Sequence, residues 1–402
     1  MGDRTGTSTT AIVDHRVFQR LDALLGRYLE SAGKDVDIPA LCRVVAMNPI
    51  ERGPLAALGT TSGEADLEAR LEILRRAYPA LKRHKDELNI AASLLPETFE
   101  IYIPIARFMA MRSRETRARH QRAVVFGING GQGSGKTTIH AFLQIILAHG
   151  LNKRTAGFSI DDVYKTYAQR HEMARSVHPL FAIRSVAGTH DTRLAMETLT
   201  RLMYGPAGTN IRIPRFDKMA KGGHGDRVPA SEWPVVEAPI DVVILEGWLV
   251  GAHAQAQSEL QTPVNAREAN EDPDGVWRAT TNRLLATKYR ELFDRLDELL
   301  VIQVRSMEDV YRNRELQEQH LRRRLEEARR RGEDTGESGA MSPEEVAAFI
   351  ALYERTTRQM LRTLPDVARL TLFVGDQHRI ERVRVNTPPA ADPGDNGPAV
   401  AP

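Results

Sequence analysis

Two patterns in this chain combine the residue types and spacing that phosphate chemistry needs. In AVVFGINGGQGSGKTTIHAFLQIILAHG, the series Gly130-x-x-x-x-Gly135-Lys136-Thr137 follows an apolar run and opens an amphipathic one. Glycines at these places let backbone N–H groups turn inward around phosphate oxygens, and the helix N-terminus adds favourable partial charge. Gly130, Gly131, Gln132, Gly133, Ser134, Gly135, Lys136, Thr137 and Thr138 would then cradle a nucleoside triphosphate. Lys136 would reach the β- and γ-phosphates, and the Thr137 hydroxyl would bind Mg²⁺. A further acid suits the metal. APIDVVILEGW is a short apolar run ending in Glu246, which falls at a strand's C-terminal edge, where ligands bind in open α/β sheets. From there Glu246 would orient the water shell of the Mg²⁺ ion.

In GFSIDDVYKT, Asp161 and Asp162 stand side by side where another apolar run ends. Side chains alternate faces at a strand end, so both cannot face a phosphate. One should point to the site, the other to solvent or to a supporting hydrogen bond. A base beside a γ-phosphate is what a small-molecule kinase requires, whereas a switch GTPase would need a guanine-reading Asn-Lys-x-Asp, which does not occur here. Such a kinase also needs an acceptor pocket, and two loops offer one. RSVAGTHDTR sets Arg184, His190 and Asp191 around an Ala-Gly turn; IPRFDKMAKGGHGDR adds Arg215, Asp217, Lys218 and Arg227 among glycines that would let the loop close. A small hydroxy acid needs a cation for its carboxylate, and the guanidinium fork is the best partner for one.

These groups need a scaffold. From residue 123 onward, the β-rich runs AVVFGI, TAGFSI, IDVVIL, ELLVIQV and LTLFV alternate with helical stretches. That alternation predicts an α/β fold with a five-stranded parallel sheet covered on both faces, the three-layer P-loop NTPase fold, over residues 120–385. Residues 13–119 show helix patterns only: RVFQRLDALLGRYLESA carries apolar residues at three- and four-residue steps, EADLEARLEILRRAYPALKRH repeats the pattern until Pro79 should break it, and Pro104 should kink or start a third helix. Residues 251–274 read as an irregular insertion or mobile loop. Residues 305–350 read as helical, and from Arg322 to Arg331 their Glu and Arg at i,i+4 steps form a solvated face. Residues 1–12 and 386–402 are expected to be disordered.

Composition narrows the setting. The 402 residues are 42% hydrophobic and 27% charged, with 55 Lys+Arg against 53 Asp+Glu, so no overall field favours nucleic acid or a membrane. One cysteine, Cys42, excludes an internal disulfide and fits a reducing compartment. The apolar runs are far short of a bilayer span and the start of the chain lacks an apolar signal core, so a cytoplasmic protein is expected. Cys42, His120, His140 and His178 have no partners at ligand spacing and read as structural; Trp233 and Trp248 read as core residues near loop edges.

The motifs GxxGxGKTT, SIDDVY, AGTHD, PRFDK, GDR and LEGW, in this order, resemble those of D-glycerate 3-kinases, which belong to the P-loop kinase group with uridine kinase, phosphoribulokinase and pantothenate kinase. The likeness runs from about Tyr102 to Leu372. It implies that Asp161 takes the acceptor's proton, with Ser159 and Tyr164 in the flanking places, and that Asp162 and Tyr164 join the acceptor loops around the substrate. It also implies a lid over the triphosphate from Arg305, Arg312 and Arg314, the last within an Arg-x-x-Gln-Glu pattern completed by Gln317 and Glu318. Val163, Lys165, Ser185, Ala187 and His224 depart from the family pattern, and these departures bear on the acceptor rather than on the phosphates. The expected activity is ATP- and Mg²⁺-dependent phosphorylation of a hydroxyl on a small polar metabolite, D-glycerate first, with a nucleoside, sugar or pantothenate-like acid as the alternative acceptor. A regulatory ATP-binding protein is the rival from another class. The N-terminal helical region could cap the sheet, form a homo-oligomer or bind a partner.

Overall fold

The computed structural model describes residues 6–34, 36–332 and 341–387. Seven strands form the central sheet: β1 (Thr7–Ile12), β2 (Val124–Gly130), β3 (Thr155–Ser159), β4 (Val242–Gly247), β5 (Glu298–Gln303), β6 (Leu370–Val374) and β7 (Ile380–Thr387). Their order is β1-β7-β6-β5-β2-β4-β3. The five strands expected from the apolar runs are the parallel ones, β3, β4, β2, β5 and β6. Two antiparallel strands, β7 and then β1, extend one edge. Residues 7–12 are therefore a strand, which corrects the expectation of disorder. TSTTAI is two-thirds β-branched but mostly polar, and its pairing with β7 is made by backbone, so no apolar run marks it. On the expected C-terminal tail, Asn386 and Thr387 complete β7, and 388–402 lie outside the described residues.

Central β2 is buried along its whole length because helices cover both faces. Val124, Phe126 and Ile128 project into one core; Val125 projects into the other. The first core is built largely by the N-terminal region. Helices His15–Glu30, Ile38–Ala46, Glu64–Glu87 and Ile103–His120 place Val17, Phe18, Leu41, Leu67, Leu71 and Phe108 in one cluster with β2. The same cluster holds Ile139, Phe142 and Leu143 of Lys136–Ile145, the helix that follows the glycine-rich loop. This region is thus one outer layer of the sandwich. The opposite layer comes from Thr192–Tyr204, Val276–Leu284 and Glu354–Val367.

Pro79 does not break its helix, which continues from Glu64 to Glu87. A proline inside a helix costs about 3 kcal/mol, but Leu71, Leu74, Ala77 and Leu81 are buried on both sides of it, and that burial outweighs the loss. Pro104 lies where the helical turn Thr98–Tyr102 runs on into Ile103–His120, so it does not start the helical run. The 251–274 stretch is not an irregular loop either. It contains a turn at Gln257–Leu260 and the helix Ala266–Glu271. Arg355 grips it, donating to both Glu268 oxygens (2.8 and 2.7 Å) and to the carbonyls of Glu259 and Thr262. The expected lid is helical over Met307–Arg330 and Pro343–Ala351, with 333–340 outside the described residues. No helix among the described residues is long and apolar enough to cross a membrane.

Candidate active site

Because β2 lies between β4 and β5, the chain leaves its carboxyl end at the point where strand order reverses, the crevice position of open α/β sheets. The glycine-rich loop fills that crevice, and its helix begins at Lys136. Gly133 and Gly135 have φ of 68° and 83°, a conformation that favours glycine. A Cβ on Gly133 would come within 2.8 Å of the Asn313 Cβ, so the lid helix Met307–Arg330 rests directly on the loop. On the other side His378, from the β6–β7 connection, hydrogen-bonds through Nε2 to the Gly133 carbonyl. Ser134 Oγ and Gln132 Oε1 are buried without partners among the described residues. Thr137 is exposed on the first helical turn, and Thr138 beside it is half-buried.

The acids meet this loop at the same edge. Glu246 on β4 is level with Ser159 on β3 and Ile128 on β2. Burial pushes its carboxyl up; Lys136 and Ser159 pull against this, and the charges of Asp161 and Asp162 add to the upward push. Its Oε2 is buried with no partner among the described residues. An orphaned carboxylate oxygen near Lys136, with the free Thr137 hydroxyl, is an all-oxygen donor set that fits Mg²⁺, which uses few protein ligands beside phosphates and water.

The chain after β3 makes one tight helical turn, Ile160–Val163. Ser159 caps it, and Asp162 Oδ2 folds back to accept from the Ser159 N–H (3.0 Å) and from Arg215 (3.3 Å). Asp162 is thereby committed to local structure. Asp161 is the carboxylate left at the site, taking one contact from Lys218 Nζ at 2.8 Å. Burial raises the Asp161 carboxyl, but Lys218 and then Lys136 outweigh it and hold it below the usual range.

The two acceptor loops pack beside Asp161. Tyr164 and His190 form an isolated backbone bridge and stack their rings at 4.3 Å, with Phe216 edge-on to Tyr164. Asp191 caps the helix Thr192–Tyr204 and accepts from Arg227 (3.1 Å), which also donates to the Tyr164 carbonyl. Asp191 and Arg227 therefore tie the two loops to each other. Arg184 crosses the Phe216 ring and donates to the Gly223 carbonyl (2.9 Å). Asp217 is exposed, and its carboxylate accepts the Met219 N–H (2.8 Å).

Two of the three lid arginines are brought together and the third is not. Arg305 and Arg312 both bond Asp309 and Asp376, whereas Arg314 pairs with Glu318 and Gln317 and lies over Phe349. Other participants carried no recognisable signal. Arg170, fully buried, donates to the carbonyls of Ala182, Lys165, His224 and Gly225 and so fastens the two acceptor loops together. Tyr353 donates to the Arg184 carbonyl and packs on Trp248. Tyr289 bonds His190. No fixed spacing joins these residues to the motifs. Among the isolated residues, His140 is neutral because burial pushes it down to about 4, and His178 caps a turn near Asp272. Trp248 is buried, but Trp233 is only half-buried and donates to the Val228 carbonyl instead of filling a core.

No family model matches the chain. An uncharacterized kinase of Schizosaccharomyces pombe is 33% identical over 236 residues, 58% of this chain and 79% of that protein. The chloroplastic D-glycerate 3-kinase of Arabidopsis thaliana is 32% identical over 245 residues, 60% of this chain but 48% of the plant protein, so the chain spans just under half the length of that relative. Among solved structures, the D-glycerate 3-kinase of Cryptococcus neoformans var. grubii superposes with a TM-score of 0.53 at 23% identity, covering 69% of this chain and 97% of the other. That likeness is one of fold.

Proposed function

Since the chain belongs to the D-glycerate 3-kinase-like P-loop kinases, we propose that it transfers the γ-phosphoryl group of ATP to a hydroxyl of a small polar metabolite, D-glycerate. The observation that carries the reading is the meeting of Lys136, Glu246 and the ionised Asp161 at one strand edge, with Arg184 alongside. Asp161 orients the acceptor hydroxyl and takes its proton, so that the oxygen can attack phosphorus as the bond to ADP breaks. Lys136 balances charge on the transferred group, and catalysis rests on positioning and charge neutralisation. Thr137 and Glu246 would hold Mg²⁺, which supplies further neutralisation of the phosphates. Among the described residues the Arg184 guanidinium lies over Phe216 and donates to one carbonyl, that of Gly223, so it keeps donors for a substrate carboxylate, the feature that favours a hydroxy acid over a nucleoside or sugar. Arg305 and Arg312 would exchange Asp376 for phosphate oxygens as the lid closes.

ADP release from Mg-ATP, measured with D-glycerate, uridine, ribose or pantothenate, tests the acceptor. D-glycerate should give the largest stimulation; stimulation by another compound alone removes it. Asp161→Asn should lower kcat by about 10²–10⁴-fold while the KM for ATP holds. Unchanged turnover would dismiss Asp161 as the base, and ATP binding without turnover on any acceptor would favour a regulatory protein.

A further inference from the structure

His190 is held by hydrogen bonds that fix which of its nitrogens carries the proton. Tyr289, at the end of the helical turn Leu285–Tyr289, brings its hydroxyl to three atoms of one loop: the Gly188 N–H at 2.9 Å, the His190 N–H at 3.3 Å and His190 Nδ1 at 2.7 Å. A phenolic oxygen has two lone pairs and one hydrogen. Backbone N–H groups can only donate, so these two take up both lone pairs. The hydroxyl hydrogen is left for Nδ1, which must be the bare acceptor nitrogen. In a neutral imidazole the proton then resides on Nε2. Burial keeps the ring neutral, pushing it down to about 3 even though the Asp161 charge acts the other way.

This Nε2–H has no partner among the described residues, although it is buried. Native proteins seldom leave such a donor unmade. The stacked Tyr164 ring and the Tyr164–His190 bridge prevent His190 from swinging away to find one. Asp161 is close enough for its charge to be felt at the ring. We propose that Tyr289 is a positioning residue that locks His190 as an Nε2–H donor, and that this donor binds an oxygen of the phosphate acceptor next to the hydroxyl that Asp161 addresses. The proposal rests on reading this edge as the acceptor site. It narrows the substrate class to molecules with a hydrogen-bond-accepting oxygen, hydroxyl or carboxylate, beside the phosphorylated carbon.

The tautomer can be read on the full chain without substrate. In protein labelled with ¹⁵N at histidine, with the His190 signals identified by their loss in His190→Gln, Nδ1 should show the unprotonated shift and Nε2 the protonated one. A proton on Nδ1 overturns the proposal. With Mg-ATP and D-glycerate, Tyr289→Phe should raise the KM for D-glycerate roughly three- to ten-fold, the worth of one neutral hydrogen bond, and leave the KM for ATP unchanged. In a His190→Ala background the same change should add nothing; additive effects, or equal effects on both substrates, would show a merely structural tyrosine. Should D-glycerate not be phosphorylated at all, the proposed function fails while the tautomer measurement still decides the dyad.

Discussion

At the Asp161 carboxyl, burial and nearby cations pull in opposite directions, and the cations win. Burial favours the protonated acid, but Lys218 at 2.8 Å and Lys136 favour the carboxylate, so the group titrates below its ordinary range. A base held below the usual carboxylate range stays ionised through neutral pH, and the acid limb of kcat/KM should lie below that range. Lys218→Met deletes the largest lowering influence and leaves burial in place, so the Asp161 pKa rises and the acid limb moves to higher pH. Profiles of kcat/KM against pH for the two proteins, taken under the same Mg-ATP conditions, check the sign; a limb that stays put means Lys218 does not tune the base. The choice between the two aspartates was partly legible in the sequence. Alternation said that one must turn away, and Asp162 does so by closing the Ser159 cap. What tunes Asp161 was not legible as such. Lys218 lies 57 residues further on, and only the fold makes it a neighbour.

Elements defined by continuous apolar composition were readable, because a parallel strand covered on both faces is buried throughout, and β2 and β4 are apolar up to Asn129 and Glu246 at their carboxyl ends. Elements whose burial depends on a distant polar partner were not. The 251–274 stretch looks polar, yet Glu268 is buried against Arg355, 87 residues away, and Asn265 reaches the Ala351 carbonyl and Glu354. Strand β1 was hidden for a related reason, since its register is set by backbone pairing to β7. The buried pair makes a quantitative claim. Arg355→Met leaves the Glu268 carboxylate in the interior with little more than the Val264 N–H to satisfy it. Removing one partner of a buried ion pair costs about 3–5 kcal/mol, and urea unfolding should show a loss of that order. The segment should also become sensitive to protease at concentrations that spare the parent. A loss of only a few tenths of a kcal/mol would mean that the insertion is not anchored by this pair.

On the scale of the whole molecule, the N-terminal layer and the nucleotide site share one core: Phe142, on the helix that begins at Lys136, meets Tyr102 and His84 edge-on. The helical pattern of the first hundred residues was plain in the sequence, but not its destination, because an apolar stripe fits a sheet as well as a second subunit. Within this layer Glu100 is fully buried, accepting from Asn48 at 2.6 Å through one oxygen while the other finds no partner among the described residues. Burial first, and the Glu51 and Glu97 charges after it, push its carboxyl well above the usual range against the pull of Asn48 and Arg70. A group whose folded pKa is raised binds more protons folded than unfolded, so stability must fall as pH rises from the unfolded value of about 4.3 towards the folded one. Below that window Glu100 is protonated in both states and costs nothing; above it the penalty levels off. Glu100→Gln keeps the shape and the contact with Asn48 and cannot ionise. The unfolding midpoints of parent and variant should therefore coincide near pH 4 and separate steadily at higher pH, the variant being the more stable. A constant difference across the range would mean that Glu100 does not titrate between the two states, and a lower midpoint for the variant at pH 8 would mean that the ionised carboxylate contributes to holding the layer together.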